Sequence, residues 1–351
     1  MFNGLPVTRR SLLGLVAATA SAPAWSQGLF GLLRDAAGAA APTGAANVPP
    51  FDFKAAPEAQ SEVYVEVVRG GNFKDIRKVG IVNFSVEFAL FKEASASGGS
   101  TWKGRTASVA TVTRQIPPPD PAALQAIVDA LYARTQEDFK AMGIEVVPYD
   151  TLKATKNYAE LKPAQHDAPW VTNTADTQSM FMAPTGMPLY MDNPERADAL
   201  QAIGFSFGTN TRMKEVLMTY DLKQEVHLVS VNAVVDFATV SATGGYLSRA
   251  KATGDWVHHL HANNTSYRFV STTQPELMLV KLRKPLTSDR PLWRDLQTET
   301  ERGGDSDGTT TTSTTSTTQA GLFDTASYLK RSGDMLDASR RMFVAELKKL
   351  R

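Results

Sequence analysis

The sequence predicts an α/β or α+β fold, in which a mixed β-sheet is covered by amphipathic helices and closed by a carboxy-terminal helix. Three observations predict it. Two long runs rich in β-branched residues, Lys78 to Leu90 and Val226 to Val240, read as strands. Asp120-Pro121 opens a stretch whose apolar residues recur at helical spacing. The chain then closes on a second amphipathic stripe.

Taken in order, Glu62 to Val68 is rich in valine and reads as the first strand. In the second, Val79-Gly80-Ile81-Val82-Asn83-Phe84 is apolar on both faces before it alternates, as suits a central strand under helices. Thr106 to Val112 is the third. The prolines after Ile116 end that run, Asp120 is placed as N-cap and Pro121 takes the first helical position. Leu124, Ile127, Val128, Leu131, Phe139 and Met142 share one face of this helix, and Gly143 stands where a C-terminal cap needs positive φ. A strand follows over Ile144 to Pro148, then a shorter helix over Thr151 to Leu161 with Asp150 as its cap.

Lys162 to Leu189 lacks periodicity and reads as a long surface excursion. Helices are expected over Asn193 to Ile203 and from Asn210 or Thr211 to Tyr220. Val229, Val231, Ala233, Val235 and Phe237 share one face of the next strand, which Gly244-Gly245 ends as a turn. A meander is expected after it over Tyr246 to Ala252, Asp255 to His261, Tyr267 to Thr272 and Glu276 to Lys284. Leu322, Leu329, Leu336, Phe343 and Leu350 fall seven apart, with Met335, Met342 and Leu347 on the same side, which predicts a helix docked on its own sheet. These readings divide the chain into a signal segment over 1–26, a flexible linker over 27–60, an α/β domain over 61–301, a Thr/Ser-rich linker over 302–319 and the closing helix over 320–351.

The charge balance excludes some classes of partner. The 37 basic residues less Arg9 and Arg10 of the signal segment leave 35 against 36 acidic ones, so no net field favours nucleic acid or an anionic membrane. No cysteine is present, which excludes a disulfide framework, thiolate metal sites, a Cys nucleophile and lipid attached through an amino-terminal Cys.

Thr8-Arg9-Arg10-Ser11-Leu12-Leu13 sets two arginines before a short apolar stretch, and Ala24-Trp25-Ser26 offers small residues where a signal peptidase reads. This is similar to a twin-arginine export signal; an ordinary secretory signal with two arginines is the other reading. Both predict a periplasmic or secreted mature chain beginning near Gln27.

Lys78-Val79-Gly80-Ile81-Val82-Asn83-Phe84, the helix carrying Leu124 to Phe139, and Gly143-Ile144-Glu145-Val146-Val147-Pro148 resemble, in that order, the amino-terminal α/β unit of envelope proteins. The families in question are the curli-secretion lipoproteins and the TolB amino-terminal domain. The later strand Val231 to Phe237 and the closing helix keep a similar order. The likeness covers about half of the mature chain and rests on hydrophobic pattern. It implies an envelope assembly, transport-accessory or binding role and supplies no catalytic residues. The lipidated Cys of the curli family has no counterpart here.

His258, His259 and His261 are three of the five histidines. Strand alternation predicts Asp255, His259 and His261 on one face, where two imidazoles and a carboxylate suit Zn²⁺ or Cu²⁺, and His227 is the further ligand to consider. A polar, solvent-facing strand edge is the alternative. Asp236 interrupts an apolar strand and reads either as a buried general base or as a paired carboxylate. Trp256, Trp293, Phe205 and Phe207 are candidates to line an apolar groove, and Met180, Met182, Met187 and Met191 a pliable surface, unless they fill the core. No phosphate-binding Gly-rich loop, nucleophile elbow or HExxH helix occurs. The leading expectation is an exported, non-enzymatic envelope accessory or assembly protein that meets envelope proteins or its own copies and associates with a membrane without a transmembrane helix. The alternative is a periplasmic metal- or small-ligand-binding protein, with a hydrolase a distant third.

Overall fold

The centre of the fold is a parallel pair of long strands whose faces are covered on both sides. A computed structural model describes residues 50–99, 105–189, 211–245, 248–262, 264–272, 276–306 and 310–351. The signal segment, the helix expected over 193–203, Phe205, Phe207 and Met191 lie outside them.

The strands are β1 (Val65–Val68), β2 (Lys78–Gly99), β3 (Arg105–Gln115), β4 (Glu145–Val146), β5 (Trp170–Asn173), β6 (Thr177–Met182), β7 (His227–Gly245), β8 (Ser248–Leu260), β9 (Ser266–Val270), β10 (Met278–Leu282), β11 (Leu286–Thr287), β12 (Trp293–Ser306) and β13 (Thr310–Phe323). The main helices are α1 (Pro121–Ala141), α2 (Tyr149–Lys153), α3 (Thr211–Asp221) and α4 (Thr325–Lys349). The strands form one mixed sheet with the main path β1-β10-β9-β7-β2-β3-β13-β12. The α+β expectation therefore holds.

β2 and β7 run parallel from Val79↔His227 to Phe88↔Val235, with a bulge at Val82. The extra residue brings Phe84, Val86 and Phe88 into step with Val231, Ala233 and Val235, so one face is continuously apolar. Helix α1 covers that face with Leu124, Val128, Leu131 and Phe139, and α4 covers it with Met335, Leu336, Met342, Phe343 and Leu347. The other face has a smaller cluster, in which Val82, Leu228 and Val270 meet Leu152, Leu161 and Met218. Gly80 gives Leu152 its place there, because a Cβ would stand 2.7 Å from Leu152 Cδ2 and force that side chain to move. On the same face Arg268 pairs with Glu215 at 2.6 Å, both buried.

The caps of α1 form as expected. Asp120 accepts from Ala122 N at 3.0 Å, and Gly143 takes φ +70° while Ile144 N donates to Phe139 O at 2.9 Å.

Several elements differ from the sequence reading. The 27–60 linker is docked from Phe51 onward: Phe51 is buried and its N donates to Thr287 O, because its ring packs against Phe53 and Tyr64. Ser61–Tyr64 is one helical turn, so the first strand starts only at Val65. The helix expected to reach Leu161 stops at Lys153 and resumes as a 3₁₀ segment, Asn157–Ala164. The excursion over 162–189 contains the hairpin β5–β6, which adds to β2 and buries Met180, Phe181, Met182 and Ala183. The two strands expected over 246–261 are one continuous β8.

The Thr/Ser-rich segment is strand, not linker. Residues 302–306 belong to β12 and 310–319 to β13, which pairs with β12 and with β3. Threonine is β-branched and fits a ladder without having to be buried, so low complexity here marks a polar strand. Leu322 consequently lies in β13 at 67% exposure, while Leu336 and Phe343 of the same sevenfold repeat are buried in α4.

That split is testable by urea denaturation. Phe343→Ala is expected to cost about 3–5 kcal/mol and Leu322→Ala within about 0.5 kcal/mol; equal losses would mean that Leu322 belongs to the buried helical stripe.

Candidate functional site

Beyond Phe88 and Val235 the central pair divides. β2 continues with β3, from Phe91↔Gln115 to Gly99↔Ala107, and β7 continues with β8, from Val235↔Leu260 to Gly245↔Ser248. The result is two antiparallel arms that lie face to face. Their inner faces carry small residues: Ala94, Ala110 and Val112 on the first arm meet Val240, Ala252 and Gly254 on the second. Side chains no larger than valine let the two layers come close. A Cβ on Gly254 would lie 3.1 Å from Val112 Cγ2, a tight contact, and one on Gly244 would overlap the carbonyl of Ser97, so glycine is needed at the latter. Toward the tips, Ala250 N donates to Ser108 Oγ at 2.8 Å.

Two cations from the first arm clasp the second at its root. Lys92 Nζ donates to Asp236 Oδ2 at 2.6 Å and to Ala238 O at 2.9 Å. Arg114 donates to Gly254 O and stacks its guanidinium over Trp256 at 5.5 Å. Asp236 Oδ1 also accepts from Phe237 N at 2.8 Å and Ala238 N at 3.2 Å. Burial works to raise the Asp236 pKa, but the Lys92 charge, the nearby His259 and these donors outweigh it and hold the carboxyl at about 2. Asp236 is thus a paired carboxylate.

The histidine-rich segment does not assemble as strand alternation predicts. Asp236 faces His259, but Ala238 faces Trp256, so β8 carries an extra residue between them. This bulge reverses the alternation: Asp255 stands opposite Thr239 and shares its face, whereas His259 shares the face of Asp236. Asp255 is therefore not brought to the imidazoles of His259 and His261, whose ring centroids lie 6.1 Å apart. His227 pairs with Val79, nine residues before Asp236 on the same strand and so about 30 Å away at roughly 3.3 Å per residue. No group of three candidate metal ligands gathers among the described residues.

Each buried imidazole has a local role. His259 Nδ1 lies 2.8 Å from Val257 O, which assigns its proton to Nδ1. Burial lowers its pKa, against the pull of Asp236. His258 stacks on Tyr328 of α4, with Nε2 3.1 Å from Ser332 Oγ, and burial with the neighbouring His259 pushes its pKa down to about 3.

The other candidates are packing residues. Met180, Met182 and Met187 are buried and form no pliable surface. Trp256 and Trp293 pack as a tilted pair with centroids 4.8 Å apart, and Phe237 and Phe323 extend the cluster. A groove of about 1390 Å³ lies elsewhere, between α1, α4 and residues 50–57. Several of its charges are paired, as in Arg134–Asp337 and Arg331–Asp289. What the sequence reading missed is Lys92, which sits between Phe91 and Glu93 with nothing local to show its partner 144 positions on. No family model, curated protein or solved structure matches this chain.

The clasp has a measurable pH signature. Asp236 is depressed below its unfolded value near 3.8, so its contribution is complete above that pH and lost as pH falls toward about 2. In urea titrations Lys92→Met is expected to cost about 3 kcal/mol at pH 7 by stranding the carboxylate. The advantage of the native chain over Asp236→Asn is expected to vanish between pH 4 and 2; an advantage constant over that range would mean that Asp236 is not held ionised by Lys92.

Proposed function

We propose that the chain is an exported, non-enzymatic protein of the bacterial envelope that works by assembling with protein partners, further copies of itself included, through its two arms. The arms are the observation that carries this reading. β3 has 11 residues and β8 has 13, against the roughly 9–11 that a strand needs to cross a bilayer. Over residues 110–113 of β3 and 251–254 of β8, side chains alternate between a small, apolar face, with Ala110, Val112, Ala252 and Gly254, and a polar face, with Thr111, Thr113, Lys251 and Thr253; beyond them the same face of β3 carries Ser108 and Arg114. That dyad pattern suits a strand with lipid on one side and water on the other.

Two hairpins supply four strands, whereas the smallest closed barrels use about eight. An open sheet edge is not tolerated in lipid, so membrane entry by these arms requires several copies side by side. It also requires the arms to part, because each covers the small-residue face of the other. Among the described residues no helix is long and apolar enough to cross a membrane, which leaves a strand-based route unaffected. The export signal and the likeness to curli-secretion and TolB-type envelope proteins point the same way.

The chemistry at the roots supports contact over catalysis. Asp236 accepts from three donors, and His259 is buried with its Nδ1 proton tied to the backbone. In native envelope fractions, crosslinking is expected to trap a multi-copy species associated with membrane. A monomer recovered free of partners in the soluble fraction would refute assembly.

A metal-binding role keeps one supporting observation, His259 opposite Asp236 with the His261 ring 6.1 Å from that of His259. Elemental analysis of protein exported in its native host, compared with a His259→Ala/His261→Ala variant, is expected to show equal and negligible metal. Zn or Cu lost only in the variant would favour the metal reading.

A further inference from the structure

The third hairpin, β12–β13, is built differently at its two ends. Its root is apolar: Leu292 is buried, Trp293 and Phe323 stand opposite each other with ring centroids 5.1 Å apart, and Trp256 and Tyr328 pack against that pair. Its shaft is polar. From Gln297 to Ser306 and from Thr310 to Gln319 the sequence contains no apolar side chain. A bulge at Asp295, with φ +52°, separates the two parts.

The shaft nevertheless occupies the outer edge of the first arm. β13 runs parallel to β3 over eight residue pairs, from Thr310↔Arg105 to Thr317↔Val112. The other edge of β3 is taken by β2, so without β13 the backbone groups over 105–112 would form a bare edge in the arm that the proposed assembly uses. With no apolar residue over 310–319, the shaft of β13 is held there chiefly by ladder hydrogen bonds. A strand from another molecule can offer the same bonds, so exchange costs little in bonding.

We infer that the β12–β13 hairpin is a displaceable guard on the edge of β3, and that its release opens that edge to a strand from a second copy of this chain. The inference rests on the assembly reading above and gives it a regulatory step. The apolar root stays seated while the polar shaft swings about the bulge at Asp295. A tethered guard competes for the edge at an effective concentration in the millimolar range, so it raises the concentration at which copies assemble.

The absence of cysteine makes the test clean. Thr111 and Ser316 are Cα partners across the parallel ladder, where spacings of about 4.8 Å fall within disulfide range. Thr111→Cys/Ser316→Cys locks the guard when oxidised. A second variant replaces Gln297 to Ala320 by a short glycine linker and keeps the root. Native chain, oxidised and reduced double mutant, and deletion variant are compared by light scattering across a concentration series in detergent, with thermal melting as the check on folding.

The oxidised form is expected to stay monomeric and the reduced form to assemble like the native chain. The deletion variant should assemble at a concentration at least about tenfold lower. If the oxidised and reduced forms assemble equally, or the deletion leaves the midpoint unmoved, the guard is refuted while assembly stands. If the disulfide does not form, β13 is not on β3 and the guard is likewise refuted. If no form assembles, the deletion variant included, both the guard and the assembly reading fall.

Discussion

The parallel ladder between β2 and β7 is the constraint on which the rest of the molecule depends. Over Val79 to Phe88 and His227 to Val235 these strands are buried on both faces, so their register is fixed by packing on either side. Helices α1 and α4 dock on one face because the bulge at Val82 keeps its apolar side chains in step, and β9 and β10 extend the sheet outward. Where the ladder ends, each strand takes a new antiparallel partner. The arms follow from that parting, and Lys92 spans it to reach Asp236.

Electrostatics and packing divide the work at the fork. A nearly buried lysine and carboxylate are costly to desolvate, and the pair is tolerated because Ala238 and the amides after Asp236 satisfy the remaining sites. Above it the arms meet through alanine, valine and glycine, which gain little by burial compared with large side chains. The charged contacts therefore sit at the root, and above it the arms meet through small side chains and the Ala250–Ser108 hydrogen bond. That combination suits two layers that stay together in the single chain yet can separate when another surface covers them.

Elements with local signals were legible in the sequence. The α1 helix shows its cap, its stripe and its terminating glycine in contiguous residues, and the β2 and β7 runs show their burial in composition. Elements defined by partners were not. β6 is a short Met-Phe-Met run with weak strand preference, which becomes a strand by adding to β2. The threonine tract reads as low complexity because nothing local shows the β3 edge that it pairs with. At the site, Asp236 was open to a paired reading, but Lys92 is remote in sequence. The bulge in β8 also reverses an alternation that a single strand cannot reveal, which carries Asp255 away from His259 and His261.

The face-to-face stack of arms, and its opening on assembly, can be tested in one construction. Val112 and Gly254 approach across the interface, closely enough that a Cβ on Gly254 would touch Val112. In the cysteine-free chain, Val112→Cys/Gly254→Cys is expected to form an intramolecular disulfide under mild oxidation, to block membrane-associated assembly, and to recover assembly on reduction. Failure of the pair to crosslink would contradict the stacked arms, and full assembly of the oxidised form would contradict the claim that they part.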